Sequence, residues 1–306
     1  MNKKTCIIIA GPTAVGKTTI AVEITKHFST EIISADSRQC YKELNTGVAK
    51  PSPEELAKVH HYFINSHSIQ DNFSAADYEK YALTAVNKIF KKNNIAVMVG
   101  GTGLYIKAFC TGLDEIPAVD ESIRQQIIKN YEEQGIAWLQ QKVKEADPAF
   151  YSSGEIQNPH RLIRALEVIL STGKSITSFQ SSQKKIRDFN IIKICLGMPR
   201  EILYHRINNR VDDMMRMGLA EEVKNLIPYK HLSSLQTVGY RELFDYFSTE
   251  IPPVSLERTI ELIKQNTRHY AKRQITWFKK EEGMHFCDAS FKDVLDVIDT
   301  QMKGLG

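Results

Sequence analysis

The chain lacks any apolar run long enough for a membrane span, and it lacks cysteine pairs with the spacing of a metal or redox site. A transmembrane helix needs roughly 18 or more consecutive apolar residues. The five cysteines are scattered, odd in number and free of any C-x-x-C pair, which argues against a disulfide framework and a zinc finger. We therefore expect a reduced, cytoplasmic protein with no membrane partner.

A strong charge imbalance is also missing, since 40 Lys and Arg stand against 36 Asp and Glu. The resulting net charge of +4 does not by itself identify a nucleic-acid-binding protein. With 42% hydrophobic and 25% charged residues, the composition is that of a globular protein and argues against long disorder. Basic residues cluster at 157–193 and 264–280, which fits either a solvated surface or an RNA-binding face.

The first third of the chain alternates between strand and helix patterns. Thr5–Ala10 is a buried-strand pattern, residues 17–28 have helical spacing, and residues 31–35 form a second short strand. A helix at 78–92 and a strand at 94–99 follow. This order predicts a parallel sheet covered by helices on both faces. The loops that follow the strands should then lie along one edge of the sheet, where such sheets bind ligands.

The pattern changes after residue 112. Residues 118–185 are helical and polar, and the next strand pattern is at 190–196. We therefore expect an α/β core formed by residues 1–112 and 190–306, with an inserted helical domain at 113–189. Further helices are predicted at 200–217, 220–226 and 255–280, then an edge strand at 284–287 and a last helix at 291–302.

A phosphate-binding loop follows the first strand. The eight residues that match G-x4-G-K-[ST] are Gly11, Pro12, Thr13, Ala14, Val15, Gly16, Lys17 and Thr18. Glycines let the backbone N–H groups surround an anion, Lys17 adds a full positive charge, and the Thr18 hydroxyl can bind Mg²⁺. The alternative is a simple glycine-rich turn. The motif predicts a P-loop NTPase-like fold that binds a diphosphate or triphosphate, but it is shared with ATP-binding proteins and does not identify the ligand.

The acid that usually accompanies this loop is missing from its usual place. NTP-hydrolysing proteins have a Mg²⁺-binding Asp at the end of a second apolar strand, but here that strand ends in Gly100–Gly103. The acid instead is Asp36, after the earlier strand, where it is free to act as a base. Thr102 would direct its hydroxyl into the same cleft. A turn or helix-capping role for Asp36, and a plain tight turn at 100–103, are the alternatives.

Together these segments resemble the bacterial tRNA dimethylallyltransferase family. The resemblance rests on Gly11–Thr18, Ser34–Gln39, Gly47–Pro51, His60 and His61, Gly100–Tyr105, Asn158–Glu167 and Tyr270–Phe278. It implies transfer of a dimethylallyl group from its diphosphate to the N6 amine of the adenosine 3′-adjacent to the anticodon. It also implies that Arg210 contacts the diphosphate, that Thr102 holds the acceptor, and that Mg²⁺ is the cofactor. A surface ion pair of Arg210 with Asp212 or Asp213 is the alternative.

The resemblance further predicts which residues contact the anticodon arm of tRNA. These are Asp36, Ser37, Arg38, Gln39, Thr102, Arg124, Gln157, Asn158, Pro159, His160, Arg161 and Arg164. The target base must be flipped out of its stack to reach a recessed site. In the basic segment at 264–280 we expect Trp277 and Phe278 to pack in the core. We expect a monomer.

Two other functions remain open from the sequence alone. A protein of the same fold could prenylate free adenine nucleotides, although a small acceptor needs neither the helical insertion nor the basic segments. The phosphate loop by itself also permits an ATP-dependent small-molecule kinase or an NTP-driven binding module, which the missing acid after residue 99 disfavours.

Overall fold

The computed structural model describes residues 4–180, 183–248 and 254–304. Within these ranges the strands are Thr5–Ala10 (β1), Ile32–Ser34 (β2), His61–Tyr62 (β3), Ile95–Gly100 (β4), Asn190–Gly197 (β5) and Met284–Asp288 (β6). The α-helices are Lys17–His27 (α1), Pro53–Lys58 (α2), Ala75–Phe90 (α3), Gly103–Thr111 (α4), Glu121–Ala146 (α5), Pro148–Ser153 (α6), Pro159–Thr172 (α7), Arg200–Arg216 (α8), Leu219–Asn225 (α9), Tyr240–Phe247 (α10), Leu256–Phe278 (α11) and Phe291–Gly304 (α12).

The six strands form one sheet in the order β3-β2-β4-β1-β5-β6, and every pairing is parallel. β1 lies in the middle, where Ala10 is in register with Gly100 of β4 and Cys195 of β5. The predicted parallel sheet and the predicted edge strand are therefore confirmed. Since all strands run the same way, their carboxyl ends meet at one edge, and that edge carries the phosphate loop.

The core lies on both faces of this sheet, because successive β1 side chains point to opposite sides. Ile8 belongs to the core cluster on one face, with Tyr78 and Phe109, whereas Ile7 belongs to the cluster on the other face, with Ile24. Each of these five side chains is fully buried. Burial on both faces explains why β1 reads as a continuous apolar run instead of an alternating pattern.

Several elements were not predicted, and they are short or depend on distant partners. Helices α2, α4 and α10 and the two-residue strand β3 are absent from the sequence predictions. α2 has six residues and is defined by its ends, with Pro53 at the first turn and a capping box between Ser52 and Glu55. The predicted packing of Phe278 is confirmed, since it is fully buried, and Trp277 packs beside it against the same core.

The chain divides into two compact units, one of residues 1–111 and 186–306 and the other of residues 112–185. The sequence placed the helical insertion at 113–189. Arg187 and Phe189 instead belong to the larger unit: the Arg187 Nε donates to the Phe109 carbonyl at 2.8 Å, and the Phe189 ring meets those of Phe90 and Phe109. No helix in the described ranges has both the length and the apolarity to cross a bilayer.

The smaller unit is built from α5, α6 and α7 around its own apolar cluster, which includes Leu139 and Leu162. α5 is interrupted at Gly135, whose φ of 77° is not helical. The sequence has a glycine within a helical pattern at this position, and glycine readily adopts a positive φ. α7 begins at Pro159, and the Asn158 side chain accepts the His160 N–H at 3.1 Å as its N-cap.

Candidate active site

The phosphate loop connects β1 to α1, as predicted. Gly11, Ala14 and Gly16 have φ values of 144°, 65° and 105°, so the loop winds through conformations that favour glycine. A Cβ on Gly11 would also lie 2.9 Å from the Leu196 carbonyl oxygen. α1 starts at Lys17, and the first N–H groups of a helix have no acceptor within the helix. The loop therefore presents N–H donors and the positive end of α1 to an anion.

Lys17 lies close to two charged side chains, Asp36 and Arg210, that are distant from it along the chain. Its Nζ donates to the Pro12 carbonyl at 2.7 Å. Burial, followed by the positive charge of Arg210, lowers the pKa of Lys17 to about 8, although Asp36 and Cys195 act in the opposite direction. Burial also lowers the pKa of Arg210, against the opposing charge of Asp36. Three of the predicted catalytic residues, Lys17, Asp36 and Arg210, thus interact electrostatically in one place.

Asp36 also has the turn role that the sequence left as its alternative. Its Oδ1 accepts the N–H of Arg38 at 2.9 Å and that of Gln39 at 3.3 Å. These bonds fix the direction of the carboxylate after β2. A turn-forming aspartate and a functional aspartate are therefore not exclusive here.

Thr102 is joined to the Asp36 segment, but its hydroxyl is directed at Ser37. The Thr102 Oγ1 accepts the Ser37 N–H at 3.0 Å and lies 3.3 Å from the Ser37 Oγ. The Thr102 N–H donates to the Ala35 carbonyl at 3.1 Å. Gly100 permits this close approach, because a Cβ there would be 2.2 Å from the Ala35 oxygen. The prediction that these two loops meet is correct.

Two cavities lie against these residues, of about 450 and 370 Å³. Both are lined by Thr13, Asp36, Val48, Arg210 and Tyr270, so this set stands between them. Lys17 and Thr18 line only the larger cavity, which also receives Arg206. Thr102 is in the lining of neither. The larger cavity therefore combines the phosphate loop and its Lys17 with the cationic side chains of Lys50, Arg206 and Arg210.

The smaller cavity has a different character. Besides the shared residues, it is lined by apolar side chains of α8 and α9 and by the Gln236–Gly239 segment. Ser37, Arg38 and Arg273 also line it. The Arg38 Nη1 donates to the Ser234 carbonyl at 2.9 Å, and the Gln39 Nε2 donates to the Ala49 carbonyl at 3.0 Å. Two of the predicted tRNA-contacting side chains, those of Arg38 and Gln39, are thus held in place by the protein itself.

The predicted RNA-contacting residues of the smaller unit form local ion pairs. Arg124 and Arg164 bind the two carboxylate oxygens of Glu167 at 2.8 and 2.6 Å. Glu167 is fully buried, whereas the two arginines are more than a third exposed. Arg161 pairs with Glu155 at 3.1 Å on the surface. Pro159 and His160 begin α7, Asn158 is its N-cap, and Gln157 lies in the turn before it.

The sequence reasoning missed three residues that shape the site. Gln274 of α11 accepts the Thr13 N–H through its Oε1 at 2.8 Å. The Glu222 carboxylate accepts the backbone N–H of Thr46 at 2.8 Å and the hydroxyl of Tyr240, which holds the turn that carries Val48 over both cavities. Neither role has a local sequence signal. Gln274 lies within Tyr270–Phe278, one of the segments that carry the family resemblance, but no role was assigned to it there.

A Mg²⁺ ion fits the residues present, although in the described ranges no cluster of three His, Cys, Asp or Glu side chains could hold a metal. Thr18, which carries the predicted hydroxyl ligand, lines the larger cavity. Mg²⁺ commonly binds one or two protein oxygens and completes its shell with water and phosphate oxygens. This donor set suits an ion that binds together with a diphosphate.

A family model described as IPP transferase matches residues 39–281. The chain belongs to the IPP transferase family. A family relative from Christiangramia forsetii, named tRNA dimethylallyltransferase, is 48% identical over 97% of this chain and 98% of its own length. Another of that name, from Flavobacterium psychrophilum, is 46% identical over 97% of this chain and 98% of its own length.

Solved structures of IPP transferases agree with this assignment. The full-length tRNA isopentenylpyrophosphate transferase from Bacillus halodurans is 34% identical, with a TM-score of 0.71 over 99% of this chain and 98% of its own. A eukaryotic dimethylallyltransferase described as acting on tRNA is 26% identical, with a TM-score of 0.76 over 94% of this chain and 74% of its own. The α/β fold predicted from the sequence is therefore that of the family.

Proposed function

We propose that this member of the IPP transferase family transfers a dimethylallyl group from dimethylallyl diphosphate to tRNA. The acceptor is the N6 amine of the adenosine 3′-adjacent to the anticodon, and diphosphate is released. One observation carries the proposal: Asp36 and Arg210 stand between a cationic phosphate-loop cavity and a second cavity that can admit an acceptor. Relatives at 46–48% identity are named for this activity.

On the donor side, the larger cavity neutralises the charge of the leaving group. When the allylic C–O bond breaks, its electron pair moves to the diphosphate oxygen. Lys17, Arg210 and the N–H groups at the start of α1 surround that position. Because these groups are fixed before the reaction and partly shielded from water, they stabilise the developing charge strongly.

On the acceptor side, Asp36 takes the proton that the amine loses as the new N–C bond forms. An adenine amine is a weak nucleophile, so its orientation contributes as much as the basicity of the carboxylate. The hydrogen bonds of Oδ1 to the Arg38 and Gln39 N–H groups hold the carboxylate in one direction. Thr102 helps to hold the base through Ser37, whose N–H it accepts and which lines the smaller cavity.

Mg²⁺, when bound, supplies further positive charge to the diphosphate. Thr18 would hold it through its hydroxyl. Removing divalent ions would then weaken diphosphate binding more than tRNA binding.

The smaller unit holds the RNA in this proposal, and the protein acts as a monomer in the cytoplasm. Arg124 and Arg164, paired with the buried Glu167, present their guanidinium groups in fixed positions. Arg161 adds a third cation on α7. Contacts with phosphates give affinity without sequence selection and weaken as salt rises. Recognition of the flipped base would be left to the smaller cavity, where Ser37 and Arg38 lie.

The test is transfer of labelled dimethylallyl diphosphate to unmodified tRNA and, separately, to AMP. We expect label in tRNA alone. Asp36→Ala should reduce transfer at least about 100-fold, the usual contribution of a positioned base, while tRNA binding is kept. Asp299→Asn, an exposed acid of α12, is the matched control and should retain activity. Full activity of Asp36→Ala, or label in AMP instead of tRNA, would contradict the proposal.

A further inference from the structure

Gln274 connects the phosphate loop to the turn after β4 through both atoms of its amide. Its Oε1 accepts the Thr13 N–H at 2.8 Å, and its Nε2 donates to the Gly101 carbonyl at 2.9 Å. The residue is only 6% exposed. A Cβ on Gly101 would lie 2.2 Å from the Gln274 Nε2, so the glycine leaves room for this side chain. The amide is therefore held by bonds at both ends.

The two bonds require a side chain that accepts at one atom and donates at the other. A glutamine amide does both, whereas a glutamate carboxylate can only accept when ionised. Because Oε1 faces the Thr13 N–H, the orientation of the amide is fixed by its neighbours. The atom that Gln274 presents to the phosphate loop is thus a carbonyl oxygen with partial negative charge.

This bond removes one donor from the phosphate loop. Thr13 is its third residue, away from the end that opens α1, and it lines the larger cavity together with Gln274. The N–H groups of Lys17 and Thr18 remain at the start of the helix. A diphosphate bound at the helix start uses those groups. A triphosphate spans more of the loop, and at Thr13 it would meet an occupied N–H and an oxygen acceptor.

We propose that Gln274 restricts the phosphate loop to two phosphates and so disfavours nucleoside triphosphates. It acts as a specificity-determining residue, and the inference rests on the proposed function only in taking a diphosphate as the natural ligand. The physical cause is a difference between the two ligands. A diphosphate does not need the Thr13 N–H and is unaffected by Gln274. A third phosphate must either displace the Gln274 Oε1 from the Thr13 N–H or bind beside this partly negative oxygen. Cells contain abundant triphosphates that this kind of loop otherwise binds.

The experiment compares binding of inorganic pyrophosphate, tripolyphosphate and ATP to the purified full chain by calorimetry, with Mg²⁺ constant. For each protein we take the ratio of the tripolyphosphate Kd to the pyrophosphate Kd. Gln274→Ala should lower this ratio about 5- to 10-fold, the value of one regained hydrogen bond, and should tighten ATP binding. Gln274→Glu keeps the acceptor and adds a negative charge, so it should raise the ratio. Gln265→Ala, an exposed glutamine of the same helix, should leave it unchanged.

The ratio separates specificity from a merely structural role. If Gln274 only holds the two loops together, its loss weakens both anions alike and the ratio stays the same, which would overturn the inference. Gln274→Met keeps the length of the side chain without either bond, and it serves if the alanine variant does not fold. Because binding does not depend on transfer, a wild-type protein that binds pyrophosphate but prenylates nothing would refute the proposed function and leave the Gln274 result interpretable.

Discussion

Lys17 should make diphosphate binding fall as pH rises through about 8, because that is where burial and Arg210 place its pKa. The pKa is lowered from 10.5, so the protonated form is the one lost as the solution becomes basic. With a pKa of about 8, the protonated fraction of the free enzyme drops from about 0.9 at pH 7 to about 0.1 at pH 9. The kcat/KM for dimethylallyl diphosphate should therefore fall about tenfold over this range.

The assay is the pH profile of transfer to unmodified tRNA, measured at saturating tRNA. A bound diphosphate favours the charged lysine and raises its pKa, so kcat should stay level to higher pH than kcat/KM does. Lys17→Arg is the informative variant, since an arginine remains protonated throughout. If kcat/KM of the Lys17→Arg protein still falls at high pH, the titrating group is another residue or the ligand itself.

Asp36 provides an independent check on the same electrostatics. Its negative charge raises the pKa of Lys17, so Asp36→Asn should move the basic limb to lower pH. Because this variant loses transfer, the measurement is pyrophosphate binding by calorimetry. The assignment of this titration to Lys17 would be refuted if kcat/KM of Lys17→Arg fell with pH as it does in the wild-type protein. It would also be refuted if pyrophosphate binding by Asp36→Asn were lost at a higher pH than in the wild-type protein.

Two further predictions concern stability and are measured by denaturant unfolding. Tyr78→Phe removes the buried hydrogen bond from the Tyr78 hydroxyl to the Ser34 carbonyl at 2.9 Å. It should lower the free energy of unfolding by about 1–2 kcal/mol. An unchanged free energy of unfolding would show that this hydrogen bond does not stabilise the protein. Glu167→Ala removes the buried partner of Arg124 and Arg164 and should cost about 1–3 kcal/mol. A more stable Glu167→Ala protein would show that burial of the acid outweighs its two ion pairs.

The phosphate loop could be located from the sequence because its determinants are local. Eight consecutive residues set the backbone path, the start of α1 and the charge of Lys17. Asp36 could also be assigned to the same edge, although it is distant in the chain, because parallel strands all bring their carboxyl ends to one side. The strand order itself was not needed for that inference.

The orientation of individual side chains could not be predicted in this way. The sequence directed the Thr102 hydroxyl to the cleft, whereas the structure directs it to Ser37 at the end of a neighbouring strand. It likewise gave no sign that Arg124 and Arg164 share one buried acid. These contacts join residues on separate elements, and only the packing of those elements sets the distances.

What the sequence determined by itself was therefore the fold class, the anion-binding loop and the set of residues at the sheet edge, since periodicity and short motifs act over a few neighbouring positions. The tertiary structure decided which distant side chain bonds to the phosphate loop and which residues line both cavities. Gln274 reaches Thr13 across 261 positions of the chain. No local pattern encodes such a contact, because it exists only once α11 packs against the end of the sheet.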